Sequence, residues 1–308
     1  MGTRHTNPPQ DDPPVAGLAM PAPAVGSRST ALRIGVFVLV TAGVGLLLAL
    51  DSVWEAGYVY AAGGAAVVAL AMAELADLAG RTGVRVSRTV LVLGGVALFL
   101  VQWAGWAWRL PDPWLTAAAM PVLVALAVLC SRVLRAEVPG ALESMAVTAA
   151  GLLYVPVLLG FLTAIRAEWG VPGLLTVLVV CKTGTSGAYV VGKAIGRTRL
   201  SPTVSPSKTV EGAVGQFAGG MAAALAMCYS PWALMGPGIA LAYGALTAGA
   251  GILGDLAESL LKRQAAMKDS SQLIPALGGM LDTIDDMVFV APVSYFFLHL
   301  CARVAQGG

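Results

Sequence analysis

The chain has 308 residues, 57% of them hydrophobic and only 12% charged, with a formal net charge of +2. A soluble domain of this length carries roughly a quarter charged residues, so lipid must be the main solvent of this surface, and the near-neutral balance gives no footing for a nucleic-acid partner. Four cysteines (Cys130, Cys181, Cys228 and Cys301) lie in or beside apolar runs with no C-x-x-C pair; they read as small buried hydrophobes rather than zinc ligands or a disulfide frame.

Residues 1–30 are rich in Pro and lack an apolar centre, which predicts a disordered cytosolic tail rather than a cleaved leader. A helix crossing ~30 Å of hydrocarbon needs ~20 apolar residues. Windows of this kind lie at 32–50, 56–76, 88–108, 114–131, 144–165, 170–181 (extended by 182–192), 212–229, 237–254 and 283–303. The expected fold is all-α, a polytopic integral membrane helical bundle of about nine transmembrane helices. It divides into the tail 1–30, N-terminal transmembrane helices over 31–181, and a C-terminal transmembrane region over 182–308 that carries the polar motifs. Runs such as "AAGGAAVVALAMA" (61–73) and "GAVGQFAGGMAAALAM" (212–227) allow close helix–helix approach within lipid, and make a homodimer plausible as well as a packed monomer.

Lys and Arg set the orientation. Arg28 and Arg33 precede the first span; Arg81, Arg85 and Arg88 separate the second and third; Arg132 and Arg135 follow the fourth. Lys193, Arg197, Arg199 and Lys208 lie between the sixth and seventh, and Lys262, Arg263 and Lys268 between the eighth and ninth. The alternate loops carry Asp51 and Glu55, then Arg109 with Asp112, then Arg166 with Glu168, and no charge in "SPWALMGPG". The N-terminus is therefore expected in the cytosol and the C-terminus outside, with both polar segments, 182–211 and 255–282, on the cytosolic side.

In "GDLAESLLKRQAAMKDSSQLIPALGGMLDTIDDM" (254–287), Asp255, Glu258, Ser259 and Lys262 recur at spacings of three, four and seven, so they share one helix face. A charged helix end with internal ion pairs accounts for that pattern alone. It accounts less well for Asp282, Asp285 and Asp286, which follow at i, i+3 and i+4 where the last apolar span begins. Carboxylates this close repel unless a cation lies between them, Mg²⁺ favours one or two carboxylates with substrate phosphates, and acids at a membrane boundary point to function. The opposite sign comes from "GKAIGRTRLSPTVSPSKTVEG" (192–212), with four basic side chains and two Ser-Pro turns ahead of a helix start. Ser205 and Thr209 can cap that helix or bond phosphate oxygens, and the helix start adds free N–H groups and a positive dipole end. An ordinary positive-inside loop would look similar, and no Walker-type P-loop is present.

Together the two segments resemble the phosphatidate cytidylyltransferase (CDP-diacylglycerol synthase) family. Its late signature, S-x-x-K-R, four residues, K-D, then P-x-H-G-G-x-x-D-R-x-D, is matched without a gap by Ser259, Lys262, Arg263, Lys268, Asp269, Pro275, Gly278, Gly279, Asp282 and Asp285. Gly187, Ala188, Tyr189, Gly192, Gly196, Ser205, Pro206, Lys208, Thr209, Glu211 and Gly212 resemble the family's other characteristic run. The chain departs from the pattern at Leu277 (usually His), Thr283 (usually Arg), Thr185 (commonly Asp) and Gln264 (often acidic).

The resemblance implies condensation of CTP with phosphatidic acid to CDP-diacylglycerol and pyrophosphate, with Mg²⁺ as cofactor, one ion or two, at the cytosolic face of a bacterial plasma membrane. Under it, Asp269, Asp282 and Asp285 are the expected metal ligands and catalytic centre with Lys268, and Asp255 is a further candidate ligand. Ser205, Lys208 and Thr209 are expected on a substrate phosphate, Lys262, Arg263 and Lys268 on the triphosphate or pyrophosphate, and Gly278 and Gly279 where backbone approaches the nucleotide. The expected partners are CTP, phosphatidic acid and membrane lipids, without nucleic acid. A CTP-dependent transferase acting on another lipid phosphate or a lipid alcohol stays open on the sequence, as does a degenerate non-catalytic homologue; a transporter would need a matching half that the sequence lacks.

Overall fold

The computed structural model describes residues 57–109, 122–130, 133, 139–271 and 278–307; the tail 1–30, the span 32–50 and half of the span 114–131 lie outside them. Two helices come first, α1 (Tyr58–Arg81) and α2 (Arg88–Ala107). Ser87 caps α2, its hydroxyl accepting from the Val90 N–H at 3.4 Å. After a helical stretch at 122–130, α3 (Ala141–Leu152) passes through a π-turn at Leu153–Val157 into α4 (Leu158–Ile195). Pro156 lies inside that turn; proline has no N–H for the helix ladder, and a widened turn absorbs the fault. The buried Gln102 of α2 donates to the Pro156 carbonyl at 3.1 Å, which fixes α2 against the turn.

Gly170 breaks α4 with φ 65° and ψ −162°, a conformation open to a residue without Cβ. The stretches 141–169 and 171–195 are therefore separate rods of about 44 and 38 Å. An antiparallel hairpin follows, β1 (Arg199–Ser201) and β2 (Ser205–Thr209), with Arg199 opposite Thr209 and Ser201 opposite Ser205. Then come α5 (Val210–Cys228), α6 (Pro237–Gln264) and α7 (Met280–Gly307).

Five helical segments, with α3 and α4 taken together, are long and apolar enough to cross a membrane, and the chain is an all-α membrane protein. The windows at 56–76, 88–108, 144–165, 170–192, 237–254 and 283–303 fall on these segments, and 212–229 falls on α5, which is not among the five; the expected total rests also on segments outside the described residues. Two features differ from a pure hydropathy reading. α4 and α6 run on into sequence that hydropathy would end, α6 reaching Gln264, because the charged residues there pair with one another rather than with water. The Ser-Pro loop is not irregular but a short hairpin, since its backbone groups pair across the two strands.

The largest apolar core joins Met72 and Leu75 of α1, Leu91 and Leu98 of α2, Ile165 and Val177 of α4, and Leu281 and Val288 of α7. α4 and α5 meet through glycine. A Cβ on Gly187 would strike the Gly215 carbonyl, and one on Gly219 would press on the Thr183 carbonyl, so the backbones touch with no side chain between them. α6 meets α7 in the same way at Gly254, where a Cβ would strike the Asp285 carbonyl. Cys181 is buried as expected, whereas Cys130 is exposed.

Candidate active site

The polar ends of α1, α4 and α6 and the starts of α5 and α7 gather on one face together with the hairpin. That face carries Arg81, Arg85, Arg88, Lys193, Arg197, Arg199, Lys208, Lys262, Arg263 and Lys268. The opposite end holds the Gly170 break, where Glu168 accepts from the Tyr295 hydroxyl at 2.9 Å and faces His299 at 2.8 Å.

On the positive face, carboxylates of Asp255 and Glu258 from α6 and Asp285 from α7 come together with ligand oxygens within 4.8 Å of one another. Asp285 lies five residues inside α7 and Glu258 six residues from the end of α6, so the cluster is recessed about 8–9 Å below the helix ends. Glycine at 254 makes this possible by letting α6 lie directly on the backbone of Asp285.

Lysines surround the acids. Lys208 of β2 pairs with Asp255. Lys262 pairs with Glu258 one turn earlier on α6 and with Asp282 at 2.6 Å. Lys182 of α4 pairs with Asp286 at 2.6 Å. The five acids Asp255, Glu258, Asp282, Asp285 and Asp286 thus face three ammonium groups, those of Lys182, Lys208 and Lys262, two acids more than bases. Among the described residues no lysine pairs with Asp285. Glu258 is fully buried and its carboxylate oxygens lack a hydrogen-bond partner, although Lys262 lies beside it as an ion-pair partner. Buried acceptors are normally satisfied, and adjacent carboxylates with excess charge call for a cation. The donor set, three carboxylates and no sulfur or imidazole, is that of a hard divalent ion such as Mg²⁺, so these residues fit one.

The start of α7 is held by two other acids. A helix start leaves free N–H groups, and Glu74 of α1 reaches across to take two of them. It accepts from Met280 N–H at 2.9 Å and Leu281 N–H at 2.8 Å, and from the hydroxyls of Ser270 at 2.8 Å and Ser271 at 2.6 Å. Asp282 accepts from Gly279 N–H at 2.7 Å and Ser270 N–H at 3.0 Å, and shares the single Ser270 hydroxyl proton, at 2.9 Å, with Glu74. Gly278 has φ 100°, and a Cβ on Gly279 would collide with Ser270 and Glu74. Both glycines therefore have a local reason in this network, besides any approach of a nucleotide.

The remaining expected residues take distinct places. Thr209 caps α5, its hydroxyl accepting from Gly212 N–H at 3.1 Å, and Ser205 is buried at the head of β2. Arg263 is exposed and donates to the Val204 carbonyl at 3.2 Å, tying α6 to the hairpin. Lys268 and Asp269 are exposed in the turn after α6, and Asp269 stands outside the carboxylate cluster. Glu211 accepts from the N–H groups of Arg197 and Thr198 at 3.1 Å. Its own backbone N–H, then that of Arg197, hold its carboxyl down at about 2, so it clamps the hairpin as an anion.

Glu258 enters the cluster from the spacing already visible on α6. The sequence marks Asp286 within its acidic trio and Thr185 as a departure from the family pattern without assigning either a role, and it gives Glu74 and Lys182 none. Lys182 had a signal, a lone charge within an apolar span; Glu74 had little beyond its place near a span end.

The cytidylyltransferase family pattern matches residues 32–301. A phosphatidate cytidylyltransferase of Synechocystis sp. is 44% identical over 122 residues, 38% of this chain and 40% of that protein. One from Thermotoga maritima is 35% identical over 169 residues, 53% of this chain and 63% of that protein. One from Staphylococcus aureus is 28% identical over 260 residues, 82% of this chain and 95% of that protein. The chain thus spans less than two thirds of the first two relatives and nearly all of the third. With a family match running from the first apolar window to the end of the last, the chain belongs to the cytidylyltransferase family.

Proposed function

We propose that the protein is a phosphatidate cytidylyltransferase of a bacterial plasma membrane, with its active site open to the cytosol. The observation that carries this reading is the Asp255–Glu258–Asp285 cluster, recessed beneath a face rich in Lys and Arg. Positive residues mark the cytosolic side of a membrane protein, which is where CTP is found. A phosphate oxygen of phosphatidic acid attacks the α-phosphorus of CTP; a P–O bond forms to the lipid and the bond to pyrophosphate breaks. The attacking oxygen is already an anion near neutral pH, so the missing family His at Leu277 is not required as a base. What the reaction needs is to bring two polyanions together, by positioning and by fixed charge.

Asp255, Glu258 and Asp285 would hold Mg²⁺, which would supply charge neutralisation at the phosphates. Lys208, on the hairpin and part-exposed beside Asp255, meets a phosphate approaching the cluster. Arg263 and Lys268 draw the triphosphate to the rim from their exposed positions. Lys262 stays internal and fixes Glu258 relative to Asp282. The acyl chains remain among the lipids around the bundle.

Pyrophosphate release by the purified protein is the direct test. It is expected with CTP, phosphatidate and Mg²⁺ together and not when any one is withheld; release independent of phosphatidate overturns the lipid assignment. Lys208→Ala should raise a substrate KM about tenfold, the loss of one charged hydrogen bond, with kcat changed less. Unaltered KM values for both substrates would leave Lys208 only its pairing with Asp255.

A further inference from the structure

Asp285 and Asp286 are consecutive on α7, so their side chains leave the helix about 100° apart. One turns to α6 and the other to α4. Asp285 joins Asp255 and Glu258. Asp286, 2% exposed, is gripped on both oxygens, by the Lys182 ammonium at 2.6 Å and the Thr185 hydroxyl at 2.8 Å. Lys182 also donates to the Thr283 carbonyl at 2.9 Å, so one ammonium holds α7 at two points. The Asp286 N–H in turn donates to an Asp285 carboxylate oxygen at 2.6 Å.

The electrostatic consequence is a division of labour. Two neighbouring acids would repel and compete for one cation. Lys182 neutralises Asp286 permanently and leaves the charge of Asp285 unbalanced, facing α6. The resembling family commonly carries Asp at position 185; here position 185 is Thr, and Asp286 directly follows the residue that matches the last Asp of the signature. Thr185 and Asp286 are in direct contact, so a carboxylate on either residue would meet Lys182 in nearly the same place.

We propose that Asp286, locked by Lys182 and Thr185, is a positioning residue that aims Asp285 into the carboxylate cluster, and that it provides from α7 the acid this chain lacks at position 185 of α4. The role rests on the metal-binding reading of Asp255, Glu258 and Asp285. It extends beyond the cluster because Asp286 itself is used up by protein partners and does not join it.

The full-length protein tests this through Asp286→Thr, Thr185→Asp and the exchanged double variant, Thr185→Asp with Asp286→Thr. The readouts are kcat, the two KM values, the Mg²⁺ concentration at half activity, and the melting temperature in detergent with and without Mg²⁺. Residues that orient metal ligands typically contribute about 10–100-fold to activity or metal affinity. Asp286→Thr is expected to lose kcat in that range, to need more Mg²⁺, and to show a smaller Mg²⁺-induced rise in melting temperature. Thr185→Asp, with two acids on one ammonium, should also fall, and the exchanged variant should regain most of the loss. Asp286→Asn serves with the same expectation where the Thr variant does not fold. Wild-type kcat and Mg²⁺ response in Asp286→Thr, or an exchanged variant no better than it while both melt normally, overturns the proposal. Asp285→Asn run in parallel separates the two readings: Mg²⁺-dependent turnover retained there sinks the metal site itself. A normal Asp286→Thr beside a dead Asp285→Asn sinks only the positioning role.

Discussion

Asp285→Asn is expected to lower kcat by about a hundred- to a thousandfold, the range for removing one group from a preorganised electrostatic site, while leaving the fold intact or slightly firmer. The two halves of that expectation come from the same crowding. Asp285 is buried against α6 with Asp255 and Glu258 within reach of its oxygens, and among the described residues no lysine pairs with it. In the absence of a divalent ion this is a destabilising arrangement of like charges. Asn keeps the oxygen that accepts from the Asp286 N–H and deletes the charge. Melting in detergent without Mg²⁺ should therefore be unchanged or higher than in the native protein. With Mg²⁺ the order should reverse, because an ion that binds only the folded native protein raises its stability by mass action, and the variant has lost that site. Glu258→Gln should likewise lose activity and the Mg²⁺-induced gain in stability, but without the rise in melting temperature, because its ion pair with Lys262 is lost as well. A variant that still gains stability from Mg²⁺ as the native protein does would remove Asp285 from the metal site.

The parts of this site that the sequence revealed are those that repeat along one element. Asp255, Glu258 and Lys262 recur on a helical period, and the period persists to the end of α6 as the spacing requires. Asp282, Asp285 and Asp286 were visible as one acidic group, but not that the helix would distribute them to three separate partners: Lys262, the α6 carboxylates and Lys182. That division depends on how α4, α6 and α7 are rotated against one another. Glycine contacts at Gly254 and between Gly187 and Gly215 set the rotation, and no local pattern encodes it. Hydropathy located the rods and blurred their ends, because an ion pair inside a bundle hides polar residues as effectively as apolar ones do. The hairpin escaped for a related reason. Its strands are three and five residues long, and its pairing is stabilised from outside by Glu211 on the 197–198 backbone and by Arg263 on Val204.

Glu74 shows what sequence order conceals most completely, and its replacement should have the largest effect on stability. The carboxylate sits 6% exposed on α1 and is bonded to groups about two hundred positions further along the chain. Its two oxygens divide four donors. One takes the Ser271 hydroxyl and the Met280 N–H; the other takes the Ser270 hydroxyl and the Leu281 N–H. Gln has the same shape but only one accepting oxygen. Its amide NH₂ would face a serine hydroxyl, which can turn and accept, and a backbone N–H, which cannot. A hydrogen bond to a charged group is worth about 1.5–3 kcal/mol, and a buried donor left bare adds to the loss. Glu74→Gln should therefore destabilise the protein by about 2–3 kcal/mol, and Glu74→Leu, which removes both accepting oxygens from the two backbone N–H groups and the two serines, by more. Because the same bonds fix the first turn of α7, from which Asp282 and Asp285 project, activity should fall alongside stability, with a higher Mg²⁺ requirement as the specific sign that the cluster has lost its shape. Melting in detergent and Mg²⁺ titration of pyrophosphate release measure both. A Glu74→Gln protein that melts and responds to Mg²⁺ like the native one would mean that the α1–α7 clamp has no part in holding the site together.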